Sequence, residues 1–382
     1  MQKIKVAISA EDSLFRCNRI LNKNWARKFP GASWIPLLKE KLDQDFDVVT
    51  ADVALSHVKQ GFWAVEDVVV IQHVHDNVAN CLVEMGATPL AIMCFESPLY
   101  VGEFYDNVSE IAPRFKFRIL FSGLHELYQA EIGVNHPATF PSYFLNDLNN
   151  KIIPWDKRRF LVAVIGNKYV VPSKFSLSIK PREWYHWLRN TIARNIYKSY
   201  SSNKFPVHKV QLQEMRLELI AFFMRKGLLD LYGKGWDSLR NLPTKWQKCL
   251  PPIFKSHPPQ SCENKLETIR NYRYGLCIEN AKFPGYVTEK IIDCLVAGVI
   301  PLYMGAPDIE KHIPTSCFVD LRKYDNIEDL LSYLQSMSQE EALKIITNGQ
   351  EFLRSEAANG FSYEGFANIM EDIVRSEYRI AS

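Results

Sequence analysis

Apolar positions in this chain fall into short runs separated by helix-length polar stretches. The runs lie at Ile4–Ile8, Phe46–Thr50, 68–72 and 90–95, with a shorter one at 119–121. Runs of this length, rich in Val and Ile and spaced by segments of helical period, predict a parallel sheet with helices on both faces. A polar stretch with a proline, 146–156, then reads as a linker, and a second series follows at 160–165, 228–232, 274–278 and 299–304. Its runs end in Gly166-Asn167, Gly233, Glu279-Asn280 and Gly305. Doubly wound sheets carry their ligand loops at such carboxyl ends. The pattern therefore predicts an α/β chain of two Rossmann-like domains facing a cleft, 1–150 and 151–360, closed by a C-terminal helix over 361–382.

Composition narrows the function. Lys and Arg number 46 against 43 Asp and Glu, a net charge of +3. That balance lacks the strongly basic face expected of a nucleic-acid binder. No run reaches the roughly 18 apolar residues of a membrane span, and the first residues lack a secretory core, so a cytoplasmic protein is expected. The 8 cysteines are scattered without a Cys-x-x-Cys pair, which argues against a disulfide framework or a zinc site. In 183–200, Trp184, Trp187, Leu188, Ile192 and Ile196 recur at helical spacing, with Arg189, Arg194 and Lys198 among the polar positions. A helix packed on its own domain fits this pattern, and so does one in peripheral contact with the inner face of a membrane.

The densest chemistry lies in 272–305. Its order reads strand, Pro-Gly loop, helix and strand. Thr288 suits an N-cap, Ile291, Ile292, Leu295 and Val296 form a buried stripe, and Gly298 stops the helix. Glu289 and Lys290 then occupy the first turn, where free backbone N–H groups and the helix dipole favour an anion. A lysine there opposes the dipole. It is either half of a solvated Glu-Lys pair or a partner for phosphate.

These residues also carry a resemblance. Glu279-Asn280, Tyr286-Val287-Thr288-Glu289-Lys290, Ala297-Gly298, Ile300-Pro301, Gly305, Ile313-Pro314 and Ser316-Cys317-Phe318-Val319 appear in that order. The stretch resembles the donor-site motif of the α-1,3/4-fucosyltransferases, glycosyltransferase family 10. Upstream, Phe95-Glu96-Ser97-Pro98 is similar to the family's Glu-Ser-Pro segment, Arg216 to its pyrophosphate-gripping arginine, and Asn167 to its strand-end asparagine. The resemblance implies a GT-B-like fold and an inverting transfer of fucose from GDP-fucose to a glycan acceptor, lipid-linked or lipopolysaccharide among the options. It implies no cofactor besides the donor substrate.

Glu96 would be the general base and Glu289 the second carboxylate, holding donor hydroxyls. Arg216 and Lys290 would neutralise the departing diphosphate. Asn167, Tyr232, Gly233, Glu279, Asn280, Tyr286, Val287 and Thr288 would complete the donor site. Phe95 and Pro98 would desolvate Glu96 and raise its basicity. On the residues alone, Glu96 reads as an exposed loop glutamate and Arg216 as a helix-surface arginine. The connection between Asn167 and Arg216 is longer than usual in the family.

No metal is expected. The Asp-x-Asp spacings, Asp43/Asp45 and Asp45/Asp47, precede a strand rather than follow one. His73 and His75 share a face at a strand end and read as an acceptor-cleft lining, with no third ligand for a metal. Two other functions stay open: transfer from another sugar nucleotide, and a catalytically inactive nucleotide- or carbohydrate-binding protein. A dinucleotide-dependent dehydrogenase is disfavoured, because the first strand ends in Ser9-Ala10-Glu11-Asp12 without a glycine-rich turn.

Overall fold

A computed structural model of the chain describes residues 3–29, 31–74, 76–127, 134–149, 153–169, 202, 204–205 and 207–378. His75 and the Trp-rich 183–200 segment lie outside the described residues. Two parallel sheets form. The first contains β1 (Ile4–Ile8), β2 (Phe46–Thr50), β3 (Val68–His73), β4 (Thr88–Met93), β5 (Phe117–Leu120) and β6 (Val134–Pro137), in the order β2-β1-β3-β4-β5-β6. The second contains β7 (Arg159–Val164), β8 (Leu229–Tyr232), β9 (Tyr272–Ile278), β10 (Ile300–Met304) and β11 (Val319–Asp320), in the order β11-β10-β9-β7-β8. The apolar runs become strands because both faces are covered: Val68, Val69, Val70 and Ile71 are each 0% exposed. The short runs β6 and β11 escaped the sequence pattern.

Each sheet reverses its winding between its first and third strands, β1/β3 in one and β7/β9 in the other. Loops leaving the carboxyl ends on either side of such a reversal diverge and open a crevice. Five helices matter below: α1 (Trp34–Leu42), α2 (Gln213–Arg225), α3 (Lys265–Arg270), α4 (Glu289–Val296) and α5 (Tyr363–Tyr378).

The chain divides into two compact units, Met1–Phe95 with Asn107–Asn149 and Arg354–Ser382, and Glu96–Asp106 with Asn150–Leu353. The division falls between residues 149 and 150, within the polar stretch 146–156. Two pieces differ from the sequence-based boundaries. The C-terminal helix α5 is part of the first unit: Phe366 meets Trp34 edge-on at 5.1 Å, and Arg375 reaches Asp45 at 2.8 Å and the Lys41 carbonyl at 3.0 Å. Glu96–Asp106 belongs to the second unit, because Tyr105 packs on Phe283 at 5.2 Å and the Tyr100 hydroxyl donates to the Lys168 carbonyl at 3.2 Å.

Candidate active site

The site grows from the end of β9. Its last residue, Ile278, is followed by Glu279, which is 0% exposed. Burying a carboxylate is costly unless its oxygens are satisfied. Here the Thr288 N–H donates to Oε1 at 2.9 Å, the Thr288 hydroxyl lies 2.9 and 2.8 Å from the two oxygens, and Lys290 Nζ donates to Oε2 at 2.8 Å. The Glu279 N–H is held by the Met304 carbonyl on the neighbouring strand. Gly305 follows that strand, and a Cβ there would stand 2.5 Å from Glu279 Cγ, so only glycine leaves room for the side chain.

Thr288 precedes α4 in extended conformation, as expected of an N-cap, but its hydroxyl serves Glu279 instead of the helix amides. The first turn of α4 is thus pinned to the strand end by a side chain buried beneath it. Lys290 is held by Glu279, by the Thr288 hydroxyl at 2.7 Å and by Glu289 at 3.6 Å. Its place in a first turn has a structural cause: it compensates a buried carboxylate.

Arg216 arrives from α2. The preceding residues pair with the chain after β9, Gln211 bridging Ala281 and the Leu212 N–H reaching the Asn280 carbonyl. This docks Arg216 on the 278–280 turn, where Nη2 donates to the Ile278 carbonyl at 2.7 Å and to Asn280 Oδ1 at 3.0 Å. The side chain is 5% exposed, and among the described residues its Nε–H has no acceptor. It is therefore a buried residue, not a surface one. Burial lowers its pKa, opposed by Tyr100 and Glu279. For Lys290, burial also lowers the pKa and Arg216 adds to that, but Glu279 and Glu289 outweigh both and raise it.

Tyr286 and Val287, 1% and 2% exposed, pack beneath the Pro-Gly loop. Gly285 turns there with φ 74°, and its N–H donates to Asp308 Oδ1 at 2.7 Å. Asn280 Nδ2 lies 3.4 Å from the Tyr286 hydroxyl. Burial pushes the Tyr286 hydroxyl's pKa well up, with Glu96 next among the causes. The Glu96 carboxylate is therefore close enough to be felt by this cluster, and it also acts on Tyr100 alongside Arg216 and Lys290. Glu96 was expected to reach the site from the first domain. Instead it belongs to the same unit as Arg216 and Lys290, and its side chain is exposed, so Phe95 and Pro98 do not supply the expected desolvation.

The remaining predicted residues separate. Asn167 sits across the β7/β9 reversal, where its Nδ2 donates to the Gly235 and Ser238 carbonyls at 3.0 Å each, shaping the loop after β8. Gly233 has φ 137°, and a Cβ there would lie 2.3 Å from the Ile165 carbonyl oxygen. Tyr232 turns its hydroxyl to Tyr272 at 3.1 Å, at the start of β9 and so away from Glu279. His73 lies in the first unit, 3.3 Å from Glu11. Sequence reasoning missed Tyr100, Lys265 and Asp293. Asp293 was accessible from spacing, being i+4 from Glu289 on one helix face.

Glu289 has a carboxyl pKa held well below its usual value. Burial pushes its pKa up, but Lys290, Lys265 and the Thr288 hydrogen bond together hold it down to about 2. A depressed carboxyl adds stability that is fully present above its unfolded pKa and is lost as pH falls through the folded one. The window here runs from about pH 4.5 down to about 2. Glu289→Gln is expected to lose less stability between pH 5 and pH 3 than the wild type, measured by urea unfolding. An equal loss in both proteins would contradict the assignment.

The family model described as Glycosyltransferase family 10 (fucosyltransferase) C-term matches residues 201–344, the stretch that carries Arg216, Glu279, Glu289 and Lys290. The match covers well under half of the chain, and over that segment the chain is similar to glycosyltransferase family 10. An α-(1,3)-fucosyltransferase FucT of Helicobacter pylori is 37% identical over 73 residues, 19% of this chain and 15% of that protein. An α-(1,4)-fucosyltransferase of Arabidopsis thaliana is 30% identical over 143 residues, 37% of this chain and 34% of that one. The matched stretches thus span about a third or less of these relatives' length. A glycosyltransferase structure from Rickettsia africae ESF-5 superposes with a TM-score of 0.58 over 100% of both chains at 7% identity, a likeness of fold alone. The chain folds as two Rossmann-like α/β units. Among its described residues no helix is long and apolar enough to cross a membrane, and no cluster of three or more His, Cys, Asp or Glu is arranged to hold a metal.

Proposed function

We propose that this chain is a member of glycosyltransferase family 10, an inverting enzyme that moves fucose from GDP-fucose to a hydroxyl of a glycan acceptor. The observation that carries the reading is a pair of cations, the buried Arg216 and the half-buried Lys290, gathered at the 278–280 turn and the N-terminus of α4. Arg216 keeps an Nε–H without an acceptor there. A buried unsatisfied donor costs about 1–3 kcal/mol, and a phosphate oxygen would remove that cost. The likeness to named fucosyltransferases supports fucose as the sugar.

In this reading Arg216, Lys290 and the first-turn amides of α4 take the charge that develops on the leaving GDP, as preorganised donors do. Glu289, ionised throughout the neutral range, accepts hydrogen bonds from donor hydroxyls. Glu96 takes the proton of the incoming acceptor hydroxyl as the new glycosidic bond forms and the sugar–phosphate bond breaks, with inversion at the anomeric carbon. The diphosphate charge is met by side chains and helix amides, so a chelator is expected to leave the rate unchanged. A metal-rescued loss would overturn that part.

The test is GDP release from GDP-fucose, GDP-mannose and UDP-sugars, with and without N-acetyllactosamine-type acceptors. Acceptor-stimulated release from GDP-fucose alone is the expected result. Selective release from another sugar nucleotide would replace fucose, and tight GDP binding without release from any donor would favour a binding protein. Membrane association through 183–200, with a lipid-linked acceptor, predicts that deleting those residues abolishes flotation with anionic liposomes.

A further inference from the structure

Behind the first turn of α4 lies an ion cluster that the transfer reaction does not itself call for. Lys265 opens α3, whose Asn264 cap accepts from the Glu267 N–H, and it extends its ammonium to the flank of α4. There Nζ lies 2.5 Å from Asp293 Oδ2 and 3.9 Å from Glu289 Oε1. The same Oε1 is 3.6 Å from Lys290 Nζ. One carboxylate oxygen of Glu289 is thus flanked by two ammonium groups, one from its own helix and one from α3. Asp293, 9% exposed at its side chain and one turn along α4, fixes the second ammonium in place.

We propose that Lys265 is a positioning residue for Glu289, with Asp293 as its anchor: it fixes which way the Glu289 carboxylate faces and keeps it ionised when the donor enters. This rests on the reading of Glu289 as the group that accepts from donor hydroxyls. The physical need is specific. Lys290 is shared between Glu279 and Glu289. When a diphosphate engages Lys290, that ammonium is drawn toward a stronger anion, and Glu289 would lose its one same-helix counter-charge. Lys265 is held by Asp293, its nearer partner at 2.5 Å, and from that side keeps a charge 3.9 Å from Glu289 Oε1. The ordered carboxylate then presents its remaining acceptor capacity to the donor.

A purely structural salt bridge would make another prediction. Its loss would lower stability and leave donor affinity unchanged in the folded protein, or change it equally whatever stands at position 289. The experiment is a double-mutant cycle on the full chain. GDP and GDP-fucose binding are measured by calorimetry at pH 7 for wild type, Lys265→Met, Glu289→Gln and the double variant. Thermal melts confirm that each is folded. Lys265→Gln, which still donates to Asp293, replaces Lys265→Met should that variant fail to fold.

Lys265→Met is expected to weaken GDP-fucose binding about tenfold in the wild-type background and less than twofold in the Glu289→Gln background, with Lys265→Arg restoring most of the loss. In turnover assays the change should appear in KM, with kcat within about twofold. Equal weakening in both backgrounds, or none in either, would overturn the positioning role. A wild type that binds neither nucleotide overturns the donor-site reading itself, and this inference with it.

Discussion

Glu96→Gln is expected to lower transfer to acceptor by about 10²–10⁴-fold while leaving GDP affinity within about twofold, since general-base catalysis contributes on that scale. The substitution keeps the size of the side chain and removes its negative charge, and with it the capacity to take a proton. Glu96 is exposed, which suits a group that must reach a hydroxyl arriving from solvent. Its backbone is fixed: the Tyr105 hydroxyl donates to the Glu96 carbonyl at 2.8 Å, Ser97 beside it is 0% exposed, and the loop continues into the packed Leu99 and Val101. The measurement is single-turnover product formation alongside calorimetric GDP binding. Retained turnover would remove Glu96 as the base. Parallel loss of turnover and GDP binding would show that it supports the donor site instead.

Lys290→Ala is expected to weaken GDP binding by 10- to 100-fold, on the order of 1–3 kcal/mol, the worth of a charge-assisted hydrogen bond. The structure adds a second effect. Lys290 is the cation paired with Glu279, which is fully buried, and removing one partner of a buried pair costs about 3–5 kcal/mol of stability. Reduced GDP binding in Lys290→Ala alone would thus mix lost recognition with lost fold. The double variant Glu279→Gln/Lys290→Met separates them. The amide introduced at position 279 can still accept from Thr288, the Glu279–Lys290 charges are removed together, and Arg216 keeps Glu289 as a counter-charge, so the melting temperature should recover in part while GDP binding stays weak. Wild-type affinity in a folded double variant would exclude Lys290 from the donor site.

Much of the donor side was legible from residue order. The strand, Pro-Gly loop, helix and strand over 272–305 formed as their pattern requires, with α4 stopping where Gly298 takes φ 65°. Glycine is the residue that enters that conformation without strain. The same order put Glu289 and Lys290 in the first turn. What the pattern could not carry was the reason for the lysine. A periodicity argument sees only neighbours along one helix, and the partner that matters, Glu279, comes from the preceding strand end.

Arg216 shows the same limit more sharply. Along α2 nothing distinguishes it from Arg225, which is exposed and ends the same helix. Only the pairing of 211–212 with 280–281 turns it onto the 278–280 carbonyls and buries it. Tyr232 fails for a related reason. Its strand end is correctly placed, but strand side chains alternate between faces, and its hydroxyl is turned toward Tyr272.

The sequence by itself therefore determined the elements and their order: two series of buried strands, the helix that begins after Thr288, and the run from Glu279 to Lys290 that resembles the family 10 motif. Local rules of burial, capping and glycine turns act over a few residues, so a single chain displays them. Tertiary structure alone decided which strand ends meet at the β7/β9 reversal, that Glu96–Asp106 joins the unit holding Arg216, and that α5 returns to the first unit. Those outcomes depend on packing between segments tens to hundreds of residues apart, where the competing arrangements differ in contacts that no local pattern records.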